Sequence, residues 1–313
     1  MLSRTAESLY WLARYIERAE NLARILDVAL RLESLPSGYG GEGNEWRSAI
    51  DTAAVGYAFE KAYPTYAREN VIDFIVDSEA NPSNIRRCIE LARANARSVR
   101  NAITTEMWEV VNAGYLTMRQ TGLRRGNAND LAQFIAFVKE LSLRFDGAAY
   151  RTMLRDDSYW FERLGLYIER ADNTARLLDV KYHILLPEKT VVGGGLDYFQ
   201  WSSVLRSVSA QSSFHYHYRE SVKPWLVADF LILRPEQPRS LYACYRELIR
   251  NLDNLADLYG RQGPAQRIAR ARLARMENLR IETLFQSGLH EYLSAFIADN
   301  NALGLAINQQ YLA

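Results

Sequence analysis

Glu and Arg residues recur in one fixed order in two stretches of this chain, YIERAENLARILDV (Tyr15–Val28) and YIERADNTARLLDV (Tyr167–Val180). Eleven of the fourteen positions are identical, although the copies lie 152 residues apart. Carboxylates beside guanidiniums support three kinds of chemistry. Glu17 or Glu169 can serve as a general acid or base where its surroundings tune its pKa. The arginines can clamp a carboxylate or phosphate, with an acid beside them fixing their geometry or accepting an amine. The four carboxylates of Glu17-x-x-Glu20 and Glu169-x-x-Asp172 can ligate a divalent cation when they face one another. Arg18, Arg24, Arg170 and Arg176 oppose such a cation, and the Glu-x-x-His of a di-iron bundle does not occur. An anionic, peptide-like ligand suits the pattern better, and no metal or cofactor is expected.

Helical geometry positions these residues. At about 100° per residue, Glu17, Glu20, Asn21 and Arg24 fall within one arc, and Glu169, Asp172, Asn173 and Arg176 reproduce it. Leu9, Leu12, Ile16, Ala19, Ala23, Leu26 and Leu30 form an apolar seam away from that arc. Phe161, Leu164, Ile168, Ala171, Ala175, Leu178 and Tyr182 answer it in the second copy, with Ala at the same two places so that a helix can approach closely. The bland reading of the arc is an i,i+4 salt ladder, Glu20 to Arg24 and Asp172 to Arg176. A solvated face has little reason to keep Glu, Asn and Arg in order across diverged copies, so a buried polar network or a ligand site is the better reading. Arg18 and Arg170 lie instead beside apolar positions and call for buried acceptors. Under pseudo-twofold packing, Glu17, Arg24, Glu169 and Arg176 are expected to converge on a cleft for the anionic ligand, with Glu17 and Glu169 as candidate acid–base residues.

The repeat continues beyond the motif. FIVDSEANPSNIRRCI (Phe74–Ile89) aligns with FLILRPEQPRSLYACY (Phe230–Tyr245) at an offset of 156, pairing Asp73 with Asp229, Pro82 with Pro238 and Cys88 with Cys244. Trp46 corresponds to Trp201 after a length change in a Gly-rich loop. The expectation is an all-α, duplicated multi-helix bundle, with residues 1–155 and 156–313 as pseudo-twofold-related halves of one compact unit. Long helices are expected over about 3–33 and 158–186, each followed by a Gly-rich connector and a helix opening near its Trp. Asn81-Pro82 and Gln237-Pro238 read as starts of further helices. Others are expected over about 104–120, 129–152 and 264–298, with Tyr259-Gly260 and Gly263-Pro264 marking a break.

Bulk properties narrow the class. Among 313 residues, 38 Lys and Arg balance 37 Asp and Glu, so no net field favours nucleic acid or an acidic membrane. No apolar run reaches the roughly 20 residues of a membrane span, and charges interrupt the first twenty residues, so a cytoplasmic protein is expected. Two cysteines make no disulfide framework. His215 and His217 would share a face only in an extended segment, whereas their surroundings read helical. GYGGEGN (Gly38–Asn44) and VGGGL (Val192–Leu196) lack the Lys-Ser/Thr of a phosphate loop and read as connectors. The arginines of Arg267–Arg280 scatter around a helix without aromatic interleaving, against a nucleic-acid surface.

LSRTAESLYWLARYIERAENLARILDV, its second copy and the EMW of Glu106–Trp108 closely resemble the bacterial alpha-E family of helical proteins, over essentially the whole chain. The resemblance implies an all-helical fold with characteristic Glu and Arg residues. It also implies partners: a circularly permuted ATP-grasp ligase, a transglutaminase-like protease and sometimes a proteasome-like peptidase. That company points to making or modifying peptides through amide bonds, as an accessory or substrate-binding component, as an enzyme of the pathway, or as a structural dimerisation module. An oligomer is compatible with each. Carried over by motif position, the family residues are Arg4, Glu7, Tyr15, Glu17, Arg18 and Arg24, then Tyr167, Glu169, Arg170 and Arg176. The second copy departs at its start, where Glu7 faces Tyr159, Trp11 faces Arg163 and Arg14 faces Leu166. The halves are therefore expected to contribute unequally to any site.

Overall fold

A computed structural model describes residues 1–34, 44–120, 128–184 and 195–312. The described residues form α1 (Ser3–Glu33), α2 (Asn44–Thr52), α3 (Gly56–Ala62), α4 (Arg68–Val76), α5 (Ile85–Ser98), α6 (Thr105–Gln120) and α7 (Ala128–Thr152). There follow α8 (Asp157–Ile184), α9 (Gly195–Ser207), α10 (Gln211–Tyr218), α11 (Pro224–Ile232) and α12 (Leu241–Tyr259). The chain ends with α13 (Pro264–Glu277), α14 (Ile281–Ser287), α15 (Leu289–Ile307) and a π-helical turn over Asn308–Leu312. No helix among the described residues is long and apolar enough to cross a membrane.

The two motif helices, α1 and α8, pack against each other at the centre of an all-α bundle. α5 and α7 cover α1, while α12 and α15 cover α8. α2 and α9 each touch both central helices. Most of the seam is buried as the spacing requires: Leu9, Leu12, Ala23 and Leu26 on α1, and Phe161, Leu164, Ala171 and Ala175 on α8, expose no more than 1%. Leu30 is only half-buried, and the Tyr182 side chain lies outside the described residues. The polar arc is interior too. Glu17, Glu20, Asn21 and Arg24 expose 5% or less, so α1 is enclosed on its charged side as well as its apolar one.

The central helices come into close backbone contact at Gly165. A Cβ placed there would stand 2.1 Å from the Tyr10 carbonyl oxygen, so only glycine admits the α1 backbone at this point. Several local contacts occur in both halves. Tyr63 and Tyr218 each donate a hydroxyl hydrogen bond to an aspartate, Asp73 and Asp229. Cys88 on α5 and Cys244 on α12 are fully buried free thiols, both pushed up to about 12 by burial. Arg18 lies close enough to Cys88, and Arg170 to Cys244, to oppose that rise.

Two local expectations need correction. Residues 264–298 do not form one helix: α13 stops at Asn278, and Gly288, at φ +101°, caps a separate α15. Pro82 and Pro238 lie in turns ahead of their helices rather than in the first helical turn. Asn84 and Ser240 are the N-caps, accepting from the backbone N–H of Arg87 at 2.7 Å and Ala243 at 3.0 Å. The break at Tyr259-Gly260 falls where the sequence places it, with Gly260 left-handed at φ +67°. His215 and His217 sit on a helix, α10. The Gly38–Gly43 and Val192–Gly194 parts of the two connectors lie outside the described residues.

Candidate functional site

The two Glu-Arg dipeptides bond each other across the α1–α8 interface. Arg18 of α1 grips Glu169 of α8 through Nε at 2.6 Å and Nη2 at 3.1 Å. In return Arg170 of α8 grips Glu17 of α1 through Nη2 at 3.0 Å and Nε at 3.3 Å. These are the buried acceptors that the apolar neighbours of Arg18 and Arg170 call for. Arg170 is buried and Arg18 half-buried.

Each glutamate also takes a second arginine, from a different place. Arg239, in the turn before α12, reaches Glu17 at 2.7 Å and Glu20 at 2.9 Å. Arg14, one turn before Arg18, reaches Glu169 at 2.8 Å. Around Glu17 the network widens. Arg24 bonds Glu20 at 2.9 Å and the Ser207 carbonyl, and Ser142 of α7 donates to Glu20 at 2.7 Å. Asp146 of α7 bridges Arg163, at 2.5 Å, and Arg170, at 3.8 Å, and Arg163 also bonds Glu162 at 2.5 Å. Four carboxylates (Glu17, Glu20, Asp146, Glu162) thus meet four guanidiniums (Arg24, Arg163, Arg170, Arg239). Around Glu169 the balance differs: Glu169 and Asp172 face Arg14, Arg18 and Arg176, with Arg176 on Asp172 at 2.6 Å.

Burial and ion pairing compete, and pairing wins at two acids. Burial alone would raise the Glu20 carboxyl, but Arg239, Arg24 and the Ser142 hydroxyl together hold it at about 2. Burial likewise works against Glu169, yet Arg18 and Arg14 bring it to about 2. Elsewhere burial prevails: it raises Glu162 despite Arg163, and Asp172 despite Arg176. It also lowers Arg24, an effect that Arg239 reinforces. An acid held at about 2 is a poor proton carrier near neutral pH, because a general acid or base works best with a pKa close to the working pH.

The remaining sequence candidates divide. Asn173 donates to the Glu17 carbonyl at 3.4 Å, whereas the buried Asn21 Oδ1 has no hydrogen-bond partner among the described residues. Tyr15 and Tyr167 are half-buried under the guanidiniums of Arg18, at 5.9 Å, and Arg170, at 5.7 Å. Arg4 is exposed and Glu7 half-buried near the start of α1, apart from the network. Arg24 and Arg176 each serve an acid one turn back on their own helix. The residues that complete the network, Arg14, Ser142, Asp146, Glu162, Arg163 and Arg239, do not belong to the repeated pattern. Arg14 and Arg163 had a legible signal as charged residues at the very positions where the copies disagree. Arg239 had none, since its repeat partner is Ser83, which only touches Arg18 at 3.5 Å.

Glu17 and Glu169 line neither of two grooves formed by the described residues. One groove of about 250 Å³ lies between α1, α8 and α15, bordered by Trp11, Arg14, Ile168 and Gly304. Another of about 270 Å³ lies where α1, α8 and α12 approach the terminal π-helical turn, bordered by Ser3, Phe161, Tyr259 and Tyr311.

Fold and site together define an all-helical protein whose Glu-Arg dipeptides pair across its two central helices. The chain belongs to the Alpha-E family: the family model, described as a predicted alpha-helical domain with a conserved ER motif, matches residues 1–312. Comparison with curated proteins and with solved structures gives no match.

Proposed function

We propose that this protein is a non-catalytic accessory component of an ATP-grasp-linked peptide ligation or modification system, where it holds a peptide-like anionic ligand or a partner protein. The observation that carries the non-catalytic part is the mutual neutralisation of Glu17 with Arg170 and Glu169 with Arg18 in the interior. The ligase context comes from the family resemblance, with the circularly permuted ATP-grasp ligase and the transglutaminase-like protease as partners in the cytoplasm. In this reading residues 1–155 and 156–313 are two copies of one helical unit about a pseudo-twofold axis. The exchanged Glu–Arg bonds and the matched Tyr–Asp pairs support it.

Two measurements test the proposal. The protein should co-purify with a circularly permuted ATP-grasp ligase from the same cell, and failure of the two to associate would remove the accessory role. Glu17→Gln should lose thermal stability but keep full activity per folded molecule in the reconstituted pathway. The alternative, an enzyme using the Glu/Arg site for acid–base chemistry, requires the reverse: a stable variant without activity.

A further inference from the structure

The groove between α1, α8 and α15 has one charged residue on its wall, Arg14. Arg14 is held in place from three sides. Its Nε bonds Glu169 at 2.8 Å, its Nη1 bonds the Tyr10 hydroxyl at 3.3 Å, and its guanidinium lies 4.7 Å from the centre of the Trp11 ring. The remaining nitrogen, Nη2, has no hydrogen-bond partner among the described residues, and the side chain keeps 18% of its exposure. Arg14 shares Glu169, the one acid it bonds among the described residues, with Arg18, and with Asp172 paired to Arg176 three guanidiniums stand against two carboxylates. A second carboxylate beside Arg14 is therefore favoured electrostatically and meets an oriented donor.

Gly304 supplies the room. A Cβ there would sit 3.6 Å from the Tyr10 hydroxyl and 4.0 Å from Arg14 Nη1, so a side chain at this position would stand between the groove and the guanidinium. Around that opening the wall is amphipathic. Trp11, Ile168 and Leu305, which is 59% exposed, offer apolar surface, and Asn308 offers an amide. At about 250 Å³ the groove falls just below the range of roughly 300–1,000 Å³ typical of whole small-molecule ligands, so it suits the end of a chain.

We propose that this groove binds the free C-terminal carboxylate of a peptide, with Arg14 as the anion's partner and the last side chain against Trp11 and Leu305. The assignment rests on the reading that the protein holds a peptide-like anion, and adds where it is held and by which end.

The test is calorimetric titration of the full chain with N-acetyl-Ala-Leu as the free acid and as its C-terminal amide. The acid should bind saturably and the amide at least about tenfold more weakly, because it loses a charge-assisted hydrogen bond. Gly304→Leu leaves Arg14, Glu169 and Tyr10 in place while filling the groove. It should weaken the acid at least about tenfold with its melting temperature retained. Arg14→Met should do the same, and Gly304→Leu keeps the test valid if Arg14→Met does not fold. Equal binding of acid and amide, undiminished binding by Gly304→Leu, or no saturable binding into the millimolar range would each overturn the assignment. Co-purification with the ligase reads the accessory role separately. A groove that binds no carboxylate leaves that role standing, and acid binding without ligase association leaves the groove standing alone.

Discussion

At Glu17 one carboxylate meets the guanidiniums of Arg170 and Arg239 with its side chain only 1% exposed. Glu17→Gln would leave those two cations short of a buried acid, so we expect a loss of about 3–5 kcal/mol in urea unfolding. Arg170→Met should cost roughly 1–3 kcal/mol, and Arg18→Met less, because Arg18 is more exposed and Glu169 keeps Arg14. Equal losses for the two arginine variants would contradict the geometry. Acid titration probes the same network. Glu20 and Glu169 are depressed from the ordinary 4.5 to about 2, so the stability they contribute is fully present above about 4.5 and is lost as pH falls toward 2. Glu162 and Asp172 are raised and act in the opposite sense, offsetting part of that loss. The urea midpoint of the native chain should therefore fall between pH 5 and 3, and Glu169→Gln should flatten that fall. Repetition made Glu17, Arg18, Glu169 and Arg170 legible in the sequence. It could not reveal whether each Arg bonds its own helix or the other, because that depends on how α1 and α8 face each other.

At the scale of the helices, some boundaries are written in the sequence and others are not, for physical reasons. α1 and α8 follow from their seam, and α13 begins at the Gly-Pro pair where a helix start is expected. The sequence does not separate α14 and α15 from α13, because Arg280 extends the chain without a Pro or Gly and Gly288 alone is a weak signal. The small residues that set helix spacing were sought at Ala19, Ala23, Ala171 and Ala175, all of them buried. A further close contact falls at Gly165, in the motif helix but ahead of its repeated segment, where copy one carries Ala13. Gly165→Ala should gain about 1 kcal/mol of helix propensity in isolation. It should nonetheless destabilise the protein by roughly 1–3 kcal/mol, since the added methyl meets a backbone carbonyl that cannot rotate away. A melting temperature equal to or above that of the native chain would show that α1 and α8 can part there at little cost.

Across the whole molecule, the exchanged bonds make each half electrostatically incomplete. Residues 1–155 alone would leave Arg14 and Arg18 without Glu169, and residues 156–313 alone would leave Arg170 and Arg239 without Glu17. The chain between α7 and α8 is short and exposed at Leu154 and Arg155, which makes it the natural place to divide the protein. Expressed separately, neither half should unfold cooperatively. Mixed, they should recover a single transition, followed by circular dichroism. Independent folding of either half would show that the exchange is dispensable. The same exchange has a consequence on an evolutionary timescale. Loss of Glu17 strands Arg170 and loss of Glu169 strands Arg18, so a substitution in one copy is felt in the other. Two stretches separated by half the chain are thereby selected together, which accounts for the same Glu-Arg pair standing in both copies.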